Sequence, residues 1–501
     1  MKRALALALA ALIPLSACGP SVEPLSPTPP LAKPPATASA TPVNTAPPDP
    51  MATAPDPEPE GAFVAPRFEE RRLDNGVRLL VAERHELPLV AMRFAFDRGA
   101  DQAAPGVGSF TAAMLLQGTR RRGAIALSDE LRDLGIRAET SADHDYVAVS
   151  AHCLVDRLPK ALEIIADLVQ NPLFASDEIE RIRSRRLTSL LQQSDRPAAL
   201  LTSTTLALLY PEGHPYHFTA MGDEASINKI TAGDLRSFQR ANLVPERLSI
   251  AVAGDVKMAE LVPVITRILG RWRGSAPGSI VPPKPDGART PKLTLVDRPG
   301  LTQSSLSVAM VGVPRRSPDY DAITMMNVIL GGYYSSRLNA NLREKNGYAY
   351  TAQSRLEFHR GPGPFSATAT VSREHTGAAL REILRELARM REELVSQGEL
   401  DDARAREIGR LPARFETASS TAGTLSTLAV QALPLDEFAT RPERFRRLTR
   451  EDIKRVAATH LVTDALRVIV VGDGKVIKEQ LEGLGLGEIS VRRPPVSGAH
   501  R

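Results

Sequence analysis

Aromatic residues make up only 4% of this 501-residue chain, and Trp272 is its single tryptophan. That scarcity excludes the stacked aromatic platforms that hold single-stranded nucleic acid. Cysteine is nearly absent as well: Cys18 and Cys153 are the whole complement, too few for a disulfide framework. Nor is there a strong excess of one charge. The formal net charge is +5, and acids alternate with bases along stretches such as Arg381-Glu382 to Arg391-Glu392-Glu393. That is the pattern of a solvated helix face, not of a phosphate-binding stripe, and no nucleic-acid partner is expected. Arg120, Arg121 and Arg122 form the one tight basic knot. The apolar run from Ala4 to Ile13 is too short to span a bilayer as a helix.

What is abundant is proline, and it is local: 15 of the 40 prolines lie between Pro20 and Pro66. Ahead of them, Met1-Lys2-Arg3 and the apolar run have the form of a signal peptide. It ends in Leu15-Ser16-Ala17-Cys18, which resembles the bacterial lipobox. That resemblance makes 1–18 a lipoprotein signal peptide and Cys18 the lipid attachment point. Residues 19–66 then read as a disordered Pro-rich tether, Pro/Ala/Thr-rich and without hydrophobic periodicity. The expected location is the bacterial cell envelope, with the chain lipid-anchored and facing the periplasm. Gly19, where inner-membrane retention usually has aspartate, favours the outer membrane.

The body contains an internal repeat. Ile230-Thr231 leads through Asp234-Leu235 and Leu243-Val244 to Leu248–Asp255; 218 residues later Leu448-Thr449 leads through Asp452-Ile453 and Leu461-Val462 to Leu466–Asp473. Each copy reads as a threonine N-cap, a helix of about ten residues and an apolar strand ending in Gly-Asp. Two homologous domains follow, 67–272 and 292–485, joined by a Pro/Gly-rich linker at 273–291 and followed by a tail at 486–501. Strand-like segments (Leu79–Val81, Val90–Phe96, Tyr146–Ala151) mix with long helices (Pro159–Gln170, Asp177–Gln192) without regular βαβ alternation. The fold class is α+β, helices on one face of an antiparallel sheet.

Specific strings then carry a resemblance. Leu73-Asp74-Asn75-Gly76, Gly106-Val107 to Gln117-Gly118-Thr119, Leu330-Gly331-Gly332, Ser336-Arg337-Leu338 and Leu342–Tyr350 stand in order. Together they are similar to the insulinase/pitrilysin-type zinc peptidases, a family that includes the mitochondrial processing peptidase. The resemblance covers about Phe68 to Gly485 and implies a clamshell of two such domains. It also exposes what is missing. The family's H-x-x-E-H binds zinc through two histidines on one helix face, with the glutamate as general base. Here Ser109, Ala112 and Ala113 occupy those positions, and the third-ligand position, about 77 residues downstream, falls on Ser189 or Leu190. Alanine cannot ligate, so this chain is expected to hold no metal or other cofactor.

No other constellation replaces the lost one. Of the nine histidines only His214 and His217 are close, and with Pro215 between them they read as a turn. Cys153, in an apolar strand, reads as a core residue. The resemblance leaves Arg343 and Tyr350: in the family, an arginine and a tyrosine seven apart reach across the clamshell to the substrate carbonyl. Guanidinium and phenol donors there stabilise a developing oxyanion. Arg343 should end a helix that Gly347 terminates, with Tyr350 on the next strand; Tyr348 shares that strand face and stays an alternative. The plain structural reading is that Arg343 caps carbonyls and Tyr350 packs a strand. Functionally, the chain reads as a non-catalytic subunit that lends Arg343 and Tyr350 to a zinc-bearing partner chain acting on an extended peptide, and is not active alone. The alternative is an envelope binding or assembly protein with no part in proteolysis.

Overall fold

The 218-residue repeat forms the centre of two six-stranded sheets. The computed structural model describes residues 63–275, 278, 281–285 and 292–493. The expected signal peptide with Cys18, the tether up to residue 62 and much of the linker lie outside the described residues. The first sheet comprises β1 (Glu69–Arg72), β2 (Arg78–Glu83), β3 (Leu89–Phe96), β4 (Arg137–Ala142), β5 (Val147–Leu154) and β6 (Leu248–Gly254), in the order β1-β2-β6-β3-β5-β4. The second comprises β7 (Leu293–Asp297), β8 (Gln303–Val311), β9 (Ala349–Leu356), β10 (Pro364–Ser372), β11 (Arg467–Gly472) and β12 (Ile489–Arg492), in the order β12-β7-β11-β8-β10-β9. The second order repeats the first apart from the edge strand, where β12 stands in place of β1.

Both copies of the repeat fold as their sequence requires. Thr231 and Thr449 each accept the N3 backbone N–H of a helix, Ala232–Asn242 and Arg450–His460, at 3.2 Å. Asp234 and Asp452 in turn accept the threonine N–H at 2.8 and 2.9 Å, which completes a reciprocal capping box in each copy. Gly254, at the end of β6, has φ +136°, and a Cβ there would lie 2.1 Å from the Leu89 carbonyl oxygen. Only glycine closes that strand end against β3.

The fold class is α+β with helix-covered sheets, as expected, but three details differ. The sheets are mixed rather than purely antiparallel: β2–β6, β7–β11 and β7–β12 pair in parallel. The tail expected from 486 contributes β12, paired to β7, so the second sheet extends to Arg492. And Phe63, inside the expected tether, stacks on Phe415 with ring centres 5.9 Å apart.

Helices also cover both faces of each sheet, not one. On one face Val81, Val90, Met92, Ile250 and Val252 pack under helices of the same half. The opposite face offers Leu80, Ala82, Ala91, Ala251 and Ala253 to the Ala418–Val430 helix of the second half, which inserts Ala422, Leu425, Leu428 and Ala429. Reciprocally, Leu200, Leu201, Leu206, Leu208 and Leu209 of the Pro197–Leu209 helix lie on Val296, Ala309, Ile469 and Val471 of the second sheet. The two halves therefore exchange helices. Burial on both faces explains why β6 and β11 read as near-continuous apolar runs instead of alternating ones.

Candidate functional site

The Val107–Leu115 helix carries the three positions where the zinc motif would stand. Phe110 and Met114 are wholly buried and fix the helix against the first sheet. Ser109 and Ala113 lie on its half-buried flank, while Ala112 is buried. Opposite runs the Ser176–Ser194 helix, and the side chain it sends to Ser109 is that of Arg186. Nη1 of Arg186 donates to Ser109 Oγ at 3.0 Å and Nη2 to the Ser109 carbonyl at 2.7 Å. Ser189 accepts from Gln193 at 3.2 Å and Leu190 packs on the core, whereas Arg186, one helical turn earlier, meets the motif. Arg186 follows Ser109 by the same 77 residues by which Ser189 and Leu190 follow Ala112 and Ala113.

These residues do not fit zinc. The facing helices supply a hydroxyl, two methyl groups and a cation in place of two imidazoles and two carboxylates. Among the described residues no group of three His, Cys, Asp or Glu side chains could hold a metal ion. Burial pushes the Arg186 pKa down to about 10, still far above neutrality, so the guanidinium stays charged.

The second cluster is built by an irregular turn. A short helix, Arg337–Asn339, widens into a π-helical segment, Ala340–Lys345, and the Arg343 side chain leaves from that segment. Such wide turns re-aim side chains and are frequent at functional sites. Gly347, at φ +65°, reverses the chain, and Tyr348 N–H returns to the Leu342 carbonyl at 2.7 Å. Asn339 Oδ1 accepts from Ala352 N–H at 2.9 Å and holds β9 beside the turn. Arg337 anchors the base through a two-pronged pair with Glu399 at 2.5 and 2.9 Å.

On this frame the Arg343 guanidinium carbon lies 5.1 Å from the ring centre of Tyr350 and 4.6 Å from that of Tyr334. Among the described residues Arg343 caps no carbonyl and pairs with no carboxylate, and Tyr350 is 81% exposed. Tyr348 instead packs at the edge of the core with His375 4.9 Å from its ring. The structure thus brings a half-buried Arg343 beside the exposed Tyr350 and packs Tyr348 against the core. Sequence reasoning missed Tyr334, although the string Gly331-Gly332-Tyr333-Tyr334 next to the recognised motif carried the signal.

His359 and His214 sit at contacts between the halves or with the linker. His214 Nε2 contacts the Pro283 carbonyl at 3.1 Å and His217 Nδ1 the Tyr210 carbonyl at 2.8 Å, so both are engaged by backbone within a turn. Nearby, His359 of the second half stands 3.7 Å from Asp145 of the first half and 3.7 Å from Glu357. Burial alone would lower its pKa, but the two carboxylates outweigh it and hold the imidazole at about 10. Tyr216 OH accepts from Gly361 N–H at 3.1 Å, and Arg360 N–H donates to Asp145 at 2.9 Å. Cys153 is buried on β5, its thiol pushed up to about 11 by burial, which leaves it an inert core residue.

Comparison with known proteins agrees with this geometry. Residues 97–211 match the family model described as insulinase (peptidase family M16), and 229–407 match that of the peptidase M16 inactive domain. An uncharacterized zinc protease of Mycobacterium tuberculosis is 27% identical over 383 residues, 75% of this chain and 85% of the relative. A non-peptidase homolog of Helicobacter pylori is 23% identical over 414 residues, 80% of this chain and 92% of the relative. The crystal structure of a peptidase M16 inactive domain from Pseudomonas fluorescens superimposes with a TM-score of 0.75 at 27% identity, covering 81% of this chain and 98% of that one. The chain belongs to the insulinase (M16) peptidase family and is a member without the zinc-binding residues.

Proposed function

We propose that this chain is the zinc-less half of a two-chain peptidase and lends Arg343 and Tyr350 to a peptide held at the zinc of its partner. The observation that carries this reading is the pairing of a half-buried Arg343 with an exposed Tyr350. Among the described residues the Arg343 guanidinium meets no carboxylate or carbonyl, and it is held between the rings of Tyr334 and the exposed Tyr350. Two donors so placed can meet a carbonyl oxygen from the partner's site and stabilise it as negative charge develops. The substrate class is extended peptide, paired in β fashion to a sheet edge; β9, which carries Tyr350, is the outer strand of the second sheet.

The reading includes location. Cys18 would be acylated and left as the first residue once the segment ahead of it is cleaved off, and the Pro-rich segment would let the body stand off an envelope membrane, the outer one favoured by Gly19. Mass spectrometry of the mature N-terminus tests that part. The two-chain assembly is tested by mixing this chain with a zinc-bearing family member of similar length from the same cell. Light scattering should show a complex, and peptide cleavage should exceed that of either chain alone. Absence of a complex with every such chain would remove the reading.

A second reading, an envelope binding or assembly protein outside proteolysis, draws on the cation that Arg186 sets against Ser109 of the degenerate motif. It gives no reason for the Arg343–Tyr350 pair.

A further inference from the structure

Arg186 raises a question that the loss of zinc does not answer. A vanished metal site can be filled by apolar packing, and Ala112 and Ala113 are of that kind. Yet the opposing helix presents a full positive charge. Arg186 donates to Ser109 Oγ and to the Ser109 carbonyl, and its guanidinium carbon lies 4.9 Å from the ring centre of Phe110. Among the described residues no carboxylate pairs with it. Its neighbour Arg183, also over Phe110 at 5.9 Å, is by contrast engaged by Glu180 at 3.1 Å and by the Ile227 and Ile230 carbonyls. Two other half-buried arginines are matched by acids, Arg122 by Glu130 and Asp167 and Arg337 by Glu399, whereas Arg93 meets two serine hydroxyls.

A charge withdrawn from water without a counter-ion is costly, and burial accordingly lowers the Arg186 pKa. The two bonds to Ser109 are to neutral oxygens and leave three of the five guanidinium N–H groups unassigned. The side chain is only half-buried, so those groups remain open to a ligand. Arginine meets a carboxylate with two parallel charge-assisted bonds, and the Phe110 ring keeps the planar group oriented for it.

We propose that Arg186 is a carboxylate-receiving subsite, built where relatives place a metal, and that it takes a carboxylate of a bound extended peptide. The carboxylate is either the free C-terminus or an aspartate or glutamate side chain. The site lies on the first half, away from Arg343, and needs no partner chain. Its failure therefore leaves the two-chain reading standing, and the reverse also holds.

The test uses the full mature chain alone and one short fluorescein-labelled Gly/Ser/Ala peptide in three forms: C-terminal acid, C-terminal amide, and amide with one internal glutamate. Anisotropy titrations at fixed ionic strength should give at least about tenfold tighter binding for a carboxylate form than for the plain amide, in line with a charge-assisted bond. Preference for the acid identifies a C-terminus as ligand; preference for the glutamate form identifies a side chain. Arg186→Gln should erase the preference and Arg186→Lys should keep part of it. Should Arg186→Gln fail to fold, acetate replacing chloride should displace the preferred peptide from the unaltered chain. Equal binding of all three forms, a preference that survives Arg186→Gln, or no displacement by acetate would each overturn the proposal.

Discussion

Arg343 and Tyr350 stand face to face, guanidinium carbon 5.1 Å from the ring centre, on opposite sides of a reversal that Gly347 makes at φ +65°. The reversal controls the pair. Gly347→Val should place a β-branched residue in the left-handed region and cost about 1–3 kcal/mol, with Tyr350 displaced from Arg343. The expected readout is a modest fall in thermal midpoint with a disproportionate loss of cleavage in the two-chain assembly. A variant that keeps cleavage at the wild-type level would show that the turn does not position the pair.

The contact of Arg186 with Ser109 also has a direct test. Ser109→His with Ala112→Glu and Ala113→His should still bind no zinc, because the Arg186 cation faces the rebuilt motif. Adding Arg186→Glu should confer binding, whereas adding Ser189→Glu or Leu190→Glu should not. Metal content after dialysis distinguishes the variants. Stoichiometric zinc in the Ser189→Glu or Leu190→Glu version would contradict the arrangement.

Exchange of helices couples the halves. Leu425 is fully buried between the Ala418–Val430 helix and the first sheet. Leu425→Ala should destabilise the protein by about 2–5 kcal/mol. It should do so in one calorimetric transition, since each half completes the other's core. A variant in which one half melts early and the other at the unaltered temperature would show that the exchanged helices do not bind the halves together.

The His359 contact between halves sets a pH dependence. Its folded pKa of about 10 lies above the ordinary 6.5, so its stabilisation is fully present below pH 6.5 and is lost as pH rises toward 10. Burial raises Asp101 and Asp143 to about 6, which removes stability between pH 4 and 6, while burial lowers His144 to about 4, which adds stability over nearly the same interval. Those acid-side effects oppose each other. The alkaline loss should dominate, on the order of a few kcal/mol, and His359→Gln should flatten it. Thermal midpoints from pH 6.5 to 10 that are equally steep in the variant would contradict this assignment.

How much of this was legible in the sequence follows from how local each signal is. Thr231 and Thr449, with Asp234 and Asp452 three residues on, announce capped helices because a capping box is a four-residue event. The Gly-Asp strand ends are equally local. The exchange of helices was not legible: Leu200 to Leu209 reads as one more apolar helix, and nothing in its sequence names the sheet it will cover. The parallel pairing of β12 with β7 depends on residues nearly 200 apart. At the motif, Ser109, Ala112 and Ala113 were visible as losses, but Arg186 was missed because spacing alone cannot tell one turn of a long helix from the next. Tyr334 joins Arg343 only through the π-helical turn, which no sequence period marks.

The central claim is that Arg343 and Tyr350 act in trans on a substrate bound at another chain's zinc. Its most direct test is the rate of peptide cleavage by a reconstituted pair in which this chain carries Arg343→Ala or Tyr350→Phe, with complex formation followed in parallel. The account predicts a fall in kcat of about a hundredfold or more for Arg343→Ala, a smaller fall for Tyr350→Phe, and intact assembly in both. Full activity of both variants would contradict it.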